Sequence, residues 1–559
     1  MTERRAPLSY GQELLWLLDR ATPGLTAYNV PRAIEIRGAL DVDALRLALH
    51  DVVGRHEILR TTYAAGEHGP VQIVQAMGDP ELPVLDLTGM PAEARTKEID
   101  RIVLEEARMP LDLSRGPLLR ARLLRAAVDE HTLVLVTHHI ASDGWSKGVL
   151  FRDLSAAYDS RAAGSAPAFT PLPMQYADFA ASQREAMQGA QLESHLAFWR
   201  ERLAAPLPVL ELPTDFARPA VQSFEGARQI MMLPASLVAQ LRELGLDHGA
   251  TLYMVLLAAY QTVLHRYSGQ DDIITGSPTA GRSRAEVEGL IGYFANILAM
   301  RTSFAGDPTF AALLERISEG AMDAFEHEDV PFEKLVLDLR AGQESPGHAP
   351  LFRCVLTMED TLPDQLRLGS TAVRPYTIDY GQAKFDLTLL VAEQPEGLRL
   401  GLWYRTDLFA AGYAERFLQH LRAVLDAAVA DAEVRVNAIP LVRAEERAAL
   451  DACNATDVNE GTPATLVELF AVAASRAAGR PAVVAPRASA TAAGSVAGTQ
   501  VLTYAELSAR TSQLAHRLVA IGVEPNAPVG LLLDRSADAI VGLLGILKAG
   551  GAYMPLSVD

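Results

Sequence analysis

Residues 131–145 read HTLVLVTHHIASDGW. From His131 to Thr137 the run is apolar, continuous and of strand length, as expected of a strand buried on both faces. A helix is predicted from Trp145, because Val149, Leu150, Leu154 and Tyr158 are spaced to face a core. His138, His139, Asp143 and Gly144 therefore fall in the connection between strand and helix. In an extended chain the adjacent His138 and His139 point to opposite faces and do not share one task. That argues against a metal held by both, and His139 with Asp143 would supply only two ligands of an incomplete set. Ser142 and Ser146 lie close to His139, but no GxSxG elbow marks either as a nucleophile. A histidine pair at a strand end more often serves packing, and the Asp-Gly that follows at fixed spacing weakens that reading. Gly144 lets the backbone turn tightly or approach a ligand, while Asp143 can accept bonds from backbone or a cation and hold the loop. A histidine on such a loop acts as a base or as a positioning hydrogen-bond partner, and His139 is the expected catalytic residue.

The surrounding chain sets limits on what that residue acts upon. The 559 residues carry 50 basic and 69 acidic side chains, a net charge of −19. An acidic chain has no electrostatic reason to track nucleic-acid phosphates or anionic lipid. Hydrophobic residues make up 49% and charged residues 21%, enough apolar material for ordinary cores in about three or four compact units. Cys354 and Cys453 cannot build a disulfide framework, which fits a reducing cytoplasm. The most apolar windows, from Leu252 and Ala539, are short of the roughly 18–20 residues a membrane span needs. The start of the chain lacks the pattern of a secretion signal.

The organisation reads as two kinds of module. Residues 457–559 hold eight acidic and seven basic residues, so almost all the excess acid lies upstream. In the first part, Leu45, Ala48, Leu49 and Val52 share one helical face, with Asp41 or Asp43 placed to cap it. TLYMVLLAAYQTVLHRYSG is a long apolar helix ending at Gly269, followed by the strand and turn DDIITGSPTAGR. Three prolines between Arg161 and Met174 mark a connection between lobes, and a second break lies near residues 435–463. APRASATAAGSVAGTQ, from Ala485, is low-complexity and is expected to be an exposed hairpin insertion. In the tail, Thr465 with Glu468 and Thr503 with Glu506 fit capping boxes. The order PVGLLL, ADAIVGLLGILKAGG, AYMPL is strand, helix, strand, which implies a parallel α/β arrangement.

The residues of the loop spell HHxxxDG, and this resembles the hallmark of the condensation domains of non-ribosomal peptide synthetases, in the chloramphenicol-acetyltransferase-like superfamily. LSYGQELLWLL at Leu8, RHEILRTTY at Arg55, YADFAASQ at Tyr176, IGYFANILAMR at Ile291 and HEDVPFEKLV at His327 look like the family's other motifs, in its order. TAYNVP at Thr26, LPTDFARP at Leu212, YSGQDDIITGSPTAGR at Tyr267, KFDLTL at Lys384 and YRTDLF at Tyr404 add to the agreement, which extends over residues 6–435. LTYAELSARTSQLAHRL at Leu502 and LKAGGAYMPLSVD at Leu547 resemble the first two core motifs of an adenylation domain. The phosphate loop and later ATP-binding motifs of that domain are not in the sequence, so amino-acid activation is not expected of this chain.

The resemblance implies an α/β fold of two chloramphenicol-acetyltransferase-like lobes, a V-shaped pseudo-dimer with a central tunnel, plus a partial adenylation subdomain. The expected division is 1–175 for the first lobe, 176–435 for the second, 436–462 for a linker and 463–559 for the adenylation part. It also implies peptide-bond formation, in which the amine of an acceptor aminoacyl-carrier attacks the thioester of a donor acyl- or peptidyl-carrier. By this resemblance His139 is the central histidine, His138 has a structural role, and Gly144 offers its backbone amide near the thioester. Asp143 is implied to support the loop through an ion pair with Arg60, Arg55 being the alternative partner. Trp145, Ser142 and Asn296 are candidates for the tunnel lining, with a turn or cap role the alternative for Asn296; Tyr10, Gln12, Tyr176 and Asp178 are scaffold. The implied partners are two peptidyl carrier domains bearing 4'-phosphopantetheine, and the rest of the adenylation domain; no cofactor or metal is expected on this chain itself. An epimerisation domain, a non-catalytic docking platform, and acyl transfer to a free small molecule are the alternatives. The intact motif and the adenylation-like segment favour condensation, and the LSYGQ, TAYNVP and HHIASDGWS segments look most like domains taking an L-configured donor.

Overall fold

A computed structural model describes residues 4–78, 81–340, 351–359, 366–456, 464–486 and 499–557 of the chain. Two compact units divide between Ala444 and Glu445. In the first unit, a five-stranded sheet runs in the order Ala372–Pro375, Asn29–Arg37, Glu130–His138, Leu119–Arg125, Val84–Asp86. Its middle strand, Glu130–His138, is antiparallel to both neighbours. The expected burial on both faces has a direct cause. Leu133 and Leu135 join the core formed with the helices Val42–Arg55 and Gly144–Ala162, while Val134 and Val136 join Ile99, Ile102 and Val103 of the helix Ala92–Arg108. Alternate side chains face opposite sides of a strand, so a strand covered by helices on both sides must be apolar throughout.

A six-stranded sheet follows in the order Asn296–Ser303, Asp272–Thr279, Cys354–Met358, Leu387–Gln394, Gly397–Arg405, Gly226–Pro234. Its core packs the helices Leu252–Ser268, Phe310–Glu326 and Ala411–Ala430. The expected long apolar helix is Leu252–Ser268, capped by Thr251 and ended by Gly269 at φ 69°. A smaller sheet joins Arg4–Pro7, Gly69–Val74 and Thr61–Gly66.

The cores do not divide at residue 175. Tyr176, Ala180, Val287, Leu290, Ile291, Phe294, Leu366 and Leu368 are buried in the first core, and Ala372–Pro375 is the edge strand of the first sheet, paired with residues 34–37. Segments after residue 175 thus lend side chains and a strand to the first lobe. The segment expected to open a linker at residue 436 is also packed: Val436 and Ile439 are buried, and Arg266 donates to both of their carbonyl oxygens.

In the second unit the helices Leu466–Arg476, Tyr504–Ala520 and Ala537–Lys548 pack around Leu502, Leu507, Ala537 and Leu544. Both expected capping boxes are present. The strands Pro528–Leu531 and Ala552–Pro555 pair in parallel across the intervening helix. The strands Pro481–Pro486 and Thr499–Thr503 pair antiparallel, as arms of a hairpin; the expected insertion between them lies outside the described residues. Thr503→Ala removes the acceptor for the Glu506 N–H. It is expected to cost about 1 kcal/mol, read as roughly fivefold faster hydrogen exchange in helix Tyr504–Ala520. Unchanged exchange would show that the cap contributes nothing there.

Candidate active site

The strand Glu130–His138 turns sharply at its end, and His138 makes the turn. Its Nδ1 accepts from the Ile140 N–H at 3.1 Å, capping the short helical turn His139–Ala141. Burial, with Lys384 nearby, holds its pKa down to about 3, so the ring is neutral with its proton on Nε2. Gln12 fixes the same turn from outside, donating to Ile140 O at 3.3 Å and to the buried Tyr63 hydroxyl at 2.9 Å.

His139 is left to face the chemistry. Its N–H donates to Tyr28 O at 2.8 Å. Its ring stands edge-on to Tyr28 and Tyr293, with centroids at 6.4 and 5.2 Å. Its Nδ1 is buried without a hydrogen-bond partner among the described residues. Burial, then Lys384 and His138, hold its pKa well below that of ordinary imidazole. His139 is therefore neutral at physiological pH and a weak base.

Lys384 stands over Tyr28, with Nζ 4.9 Å from the ring centroid. Burial and Arg32 lower its pKa to about 8, so it keeps its charge at pH 7. Lys384→Met is expected to raise the titration midpoints of His138 and His139, because it removes a like charge that disfavours their protonated forms. Histidine-ring NMR titration measures this, and unmoved midpoints would remove Lys384 from the site's electrostatics.

Asp143 ties the loop to a distant segment. Its Oδ1 accepts from the Ser146 N–H at 2.8 Å and the Ser146 hydroxyl at 2.6 Å, which makes it the N-cap of helix Gly144–Ala162. Its Oδ2 accepts from the Phe294 N–H at 3.0 Å, and Arg282 Nη2 lies 3.2 and 3.4 Å from its two oxygens. Both side chains of this ion pair are almost fully buried. Arg282 also donates to Leu290 O and Ser146 Oγ, and its guanidinium lies 4.0 Å from the Phe294 ring centroid. Gly281, at φ 60°, admits no Cβ, because one would lie 2.1 Å from Phe294 O. This close approach sets Arg282 against the loop.

The expected pairing of Asp143 with Arg60 is therefore corrected: Arg282 takes that place. Arg60 lies 3.7 Å from Glu57 and donates to Gln75 O, and Arg55 binds Asp153 at 2.8 Å. Both arginines of the RHEILR segment are engaged near their own turn. Gly144 is also placed differently. It is the first residue of the helix, is exposed, and does not have positive φ; the tight turn lies in His139–Ala141. Ser142 closes that turn, its N–H donating to His139 O at 3.2 Å. Trp145 packs, with Nε1 donating to Glu288 O. Asn296 lines a cavity, but its amide is committed: Nδ2 donates to Glu328 O and Val330 O, and Oδ1 accepts from Phe332 N. That is the alternative cap role. Sequence reasoning misses Tyr28, Tyr293, Arg282, Ser146 and Lys384 as site residues, although the segments TAYNVP, IGYFANILAMR, TAGR, HHIASDGWS and KFDLTL contain them. Among the described residues no group of three or more His, Cys, Asp or Glu is placed to hold a metal ion.

Comparison with known proteins identifies the family. The chain is 42% identical over its whole length to a linear gramicidin synthase of Brevibacillus parabrevis, of which it covers 11%. It is 37% identical over 99% of its length to phosphinothricin tripeptide synthetase PhsC of Streptomyces viridochromogenes, covering 50% of that protein. The chain thus spans half or less of the length of these synthetases. In solved structures, the X-domain from teicoplanin biosynthesis is 30% identical with a TM-score of 0.70, over 79% of this chain and 98% of that one. Holo-AB3403, a four domain nonribosomal peptide synthetase bound to AMP and glycine, shares the fold at a TM-score of 0.85 and 23% identity, over all of this chain and 42% of that one. The condensation domain model matches residues 2–450, and the AMP-binding enzyme model matches residues 470–559. The chain belongs to the condensation domain family of nonribosomal peptide synthetases, and carries after that domain the start of an AMP-binding domain.

Proposed function

We propose that the chain forms peptide bonds between two carrier-bound substrates. The amine of an aminoacyl group on an acceptor carrier attacks the thioester carbonyl of an acyl or peptidyl group on a donor carrier. The C–N bond forms, the C–S bond breaks, and the donor arm's sulfur leaves with the proton that nitrogen loses. Each substrate arrives on a 4'-phosphopantetheine arm belonging to a partner carrier. The remaining adenylation domain, a cytoplasmic setting and an L-configured donor complete this reading.

The observation that carries it is the neutral His139, held edge-on to two tyrosines on a loop fixed by Asp143 and Arg282. A free α-amine has a pKa of about 7.7–8.0, so roughly a tenth or more is already neutral at pH 7. A strong resident base is not needed before attack. As nitrogen gains positive charge in the transition state, a neutral imidazole can accept its hydrogen bond and hold the attacking geometry. His138 and Asp143 act through the loop, and Gly144, the first residue of its helix, offers its backbone N–H toward the thioester in this reading.

Intact-protein mass spectrometry of an aminoacyl-loaded acceptor carrier, incubated with this chain and a panel of loaded donor carriers, tests the proposal. The acceptor is expected to gain the donor's mass. If no donor in the panel gives an amide-linked product on the acceptor, the proposal fails.

A further inference from the structure

Of the two tyrosines against His139, Tyr28 stands directly opposite it on the neighbouring chain. Asn29 pairs with His138 in the sheet, and one step further the His139 N–H donates to Tyr28 O at 2.8 Å. Residues directly opposite in an antiparallel pair send their side chains to the same face, and here the ring centroids are 6.4 Å apart. Tyrosine is the longer side chain, so its hydroxyl reaches past the imidazole. That hydroxyl has no hydrogen-bond partner among the described residues, yet it is not sealed in the interior. Burial pushes its pKa up, so at pH 7 it keeps its proton and can donate. The Lys384 ammonium lies over the same ring, with Nζ 4.9 Å from the centroid. Tyr293 has different surroundings: it lines a cavity whose charged groups are mainly acidic, Glu328, Asp329 and Glu333 against Arg284. Developing negative charge is therefore favoured beside Tyr28 and disfavoured beside Tyr293.

Resting on the reaction proposed above, we infer that Tyr28 is a further catalytic residue, whose hydroxyl donates a hydrogen bond to the donor's thioester carbonyl oxygen as that oxygen becomes negative. His139 receives the attacking nitrogen, and Tyr28 beside it receives the oxygen. In the tetrahedral intermediate both atoms are bonded to one carbon, so the groups that hold them must be neighbours on one face, as these two are. The phenol keeps its proton throughout. When the C–S bond breaks, the oxygen returns to a neutral carbonyl and the hydrogen bond weakens. Lys384 adds positive potential behind the phenol. A donor already in place where charge develops accelerates the chemical step without tightening the ground state.

The test measures the full chain and Y28F with loaded donor and acceptor carriers. Y28F removes the hydroxyl alone, and leaves the ring under Lys384 and the backbone carbonyl that receives the His139 N–H. Its kcat is expected to fall about 10²-fold, the scale of one lost oxyanion donor, with KM for both carriers unchanged. An unchanged kcat overturns the inference, and so does a KM raised as much as kcat falls, the mark of a disturbed site. If Y28F is less stable than wild type, a ring-fluorinated tyrosine at position 28 decides, because it keeps the hydroxyl and makes it a stronger donor. A faster single-turnover rate at pH 7 then supports the inference, and an unchanged or slower one overturns it. Failure of the wild-type chain to form any amide overturns the reaction itself, a result distinct from these.

Discussion

His139→Ala is expected to lower amide formation on the acceptor carrier by roughly 10²–10⁴-fold, the range set by a positioned general acid–base or hydrogen-bonding group. Folding should be intact, because His139's fixed hydrogen bond is made by its backbone N–H to Tyr28 O and survives the substitution. The contrast with His138 follows from geometry. His138 Nδ1 caps the turn, so His138→Ala should first disturb the loop. The pH profile of the wild type adds a second readout. Since burial holds the His139 pKa well below 6.5, lowering pH through 6.5 does not protonate it, and the rate shows no break there. The rate instead rises with pH toward the acceptor amine's own pKa of about 7.7–8.0. A break near 6.5 that disappears in His139→Ala would show that the imidazole titrates normally. Full activity in the mutant, with carrier loading verified, would remove His139 from the reaction.

The parts of the site that can be read from the sequence are those made locally. The apolar run into HHIASDGW predicts a doubly covered strand and a loop before a helix, because both periodicities are local. Asp143 as support for the loop also follows from short range, since an N-cap and its N3 residue are neighbours. Its charge partner escapes such reasoning for a physical cause. Arg282 is 139 positions away, and no local spacing points to it; the arginines that stand out, Arg55 and Arg60, are occupied by Asp153 and Glu57. The lobe boundary fails in the same way. Proline content marks the loop before Tyr176, but residues 176–180, 287–294 and 372–375 return to the first core through contacts no composition shift records. Lys384 is hidden because a lone lysine in a strand-entry segment ordinarily reads as solvated.

Asp143→Ala is expected to destabilise the first unit by about 3–5 kcal/mol, the cost of leaving a buried charge without its partner. The substitution takes from Arg282 the carboxylate it is paired with, and it also removes the acceptor for the Ser146 and Phe294 N–H groups. Arg282→Met should cost less, since the Asp143 carboxylate keeps its bonds from Ser146 and the Phe294 N–H. The two residues should couple strongly in a double-mutant cycle, by about 1–3 kcal/mol, whereas Asp143 and Arg60 should be additive within about 0.5 kcal/mol. The measurement is clean because the four tryptophans, Trp16, Trp145, Trp199 and Trp403, all lie in the first unit. Tryptophan fluorescence during denaturant unfolding therefore reports that unit alone, without the second unit's transition. Coupling of Asp143 to Arg60 instead of Arg282 would overturn the arrangement. Because Arg282 and Phe294 both come from the second half of the sequence, strong coupling would also show that the active-site loop is held from there, so that disturbing Arg282 reaches His139 through the loop.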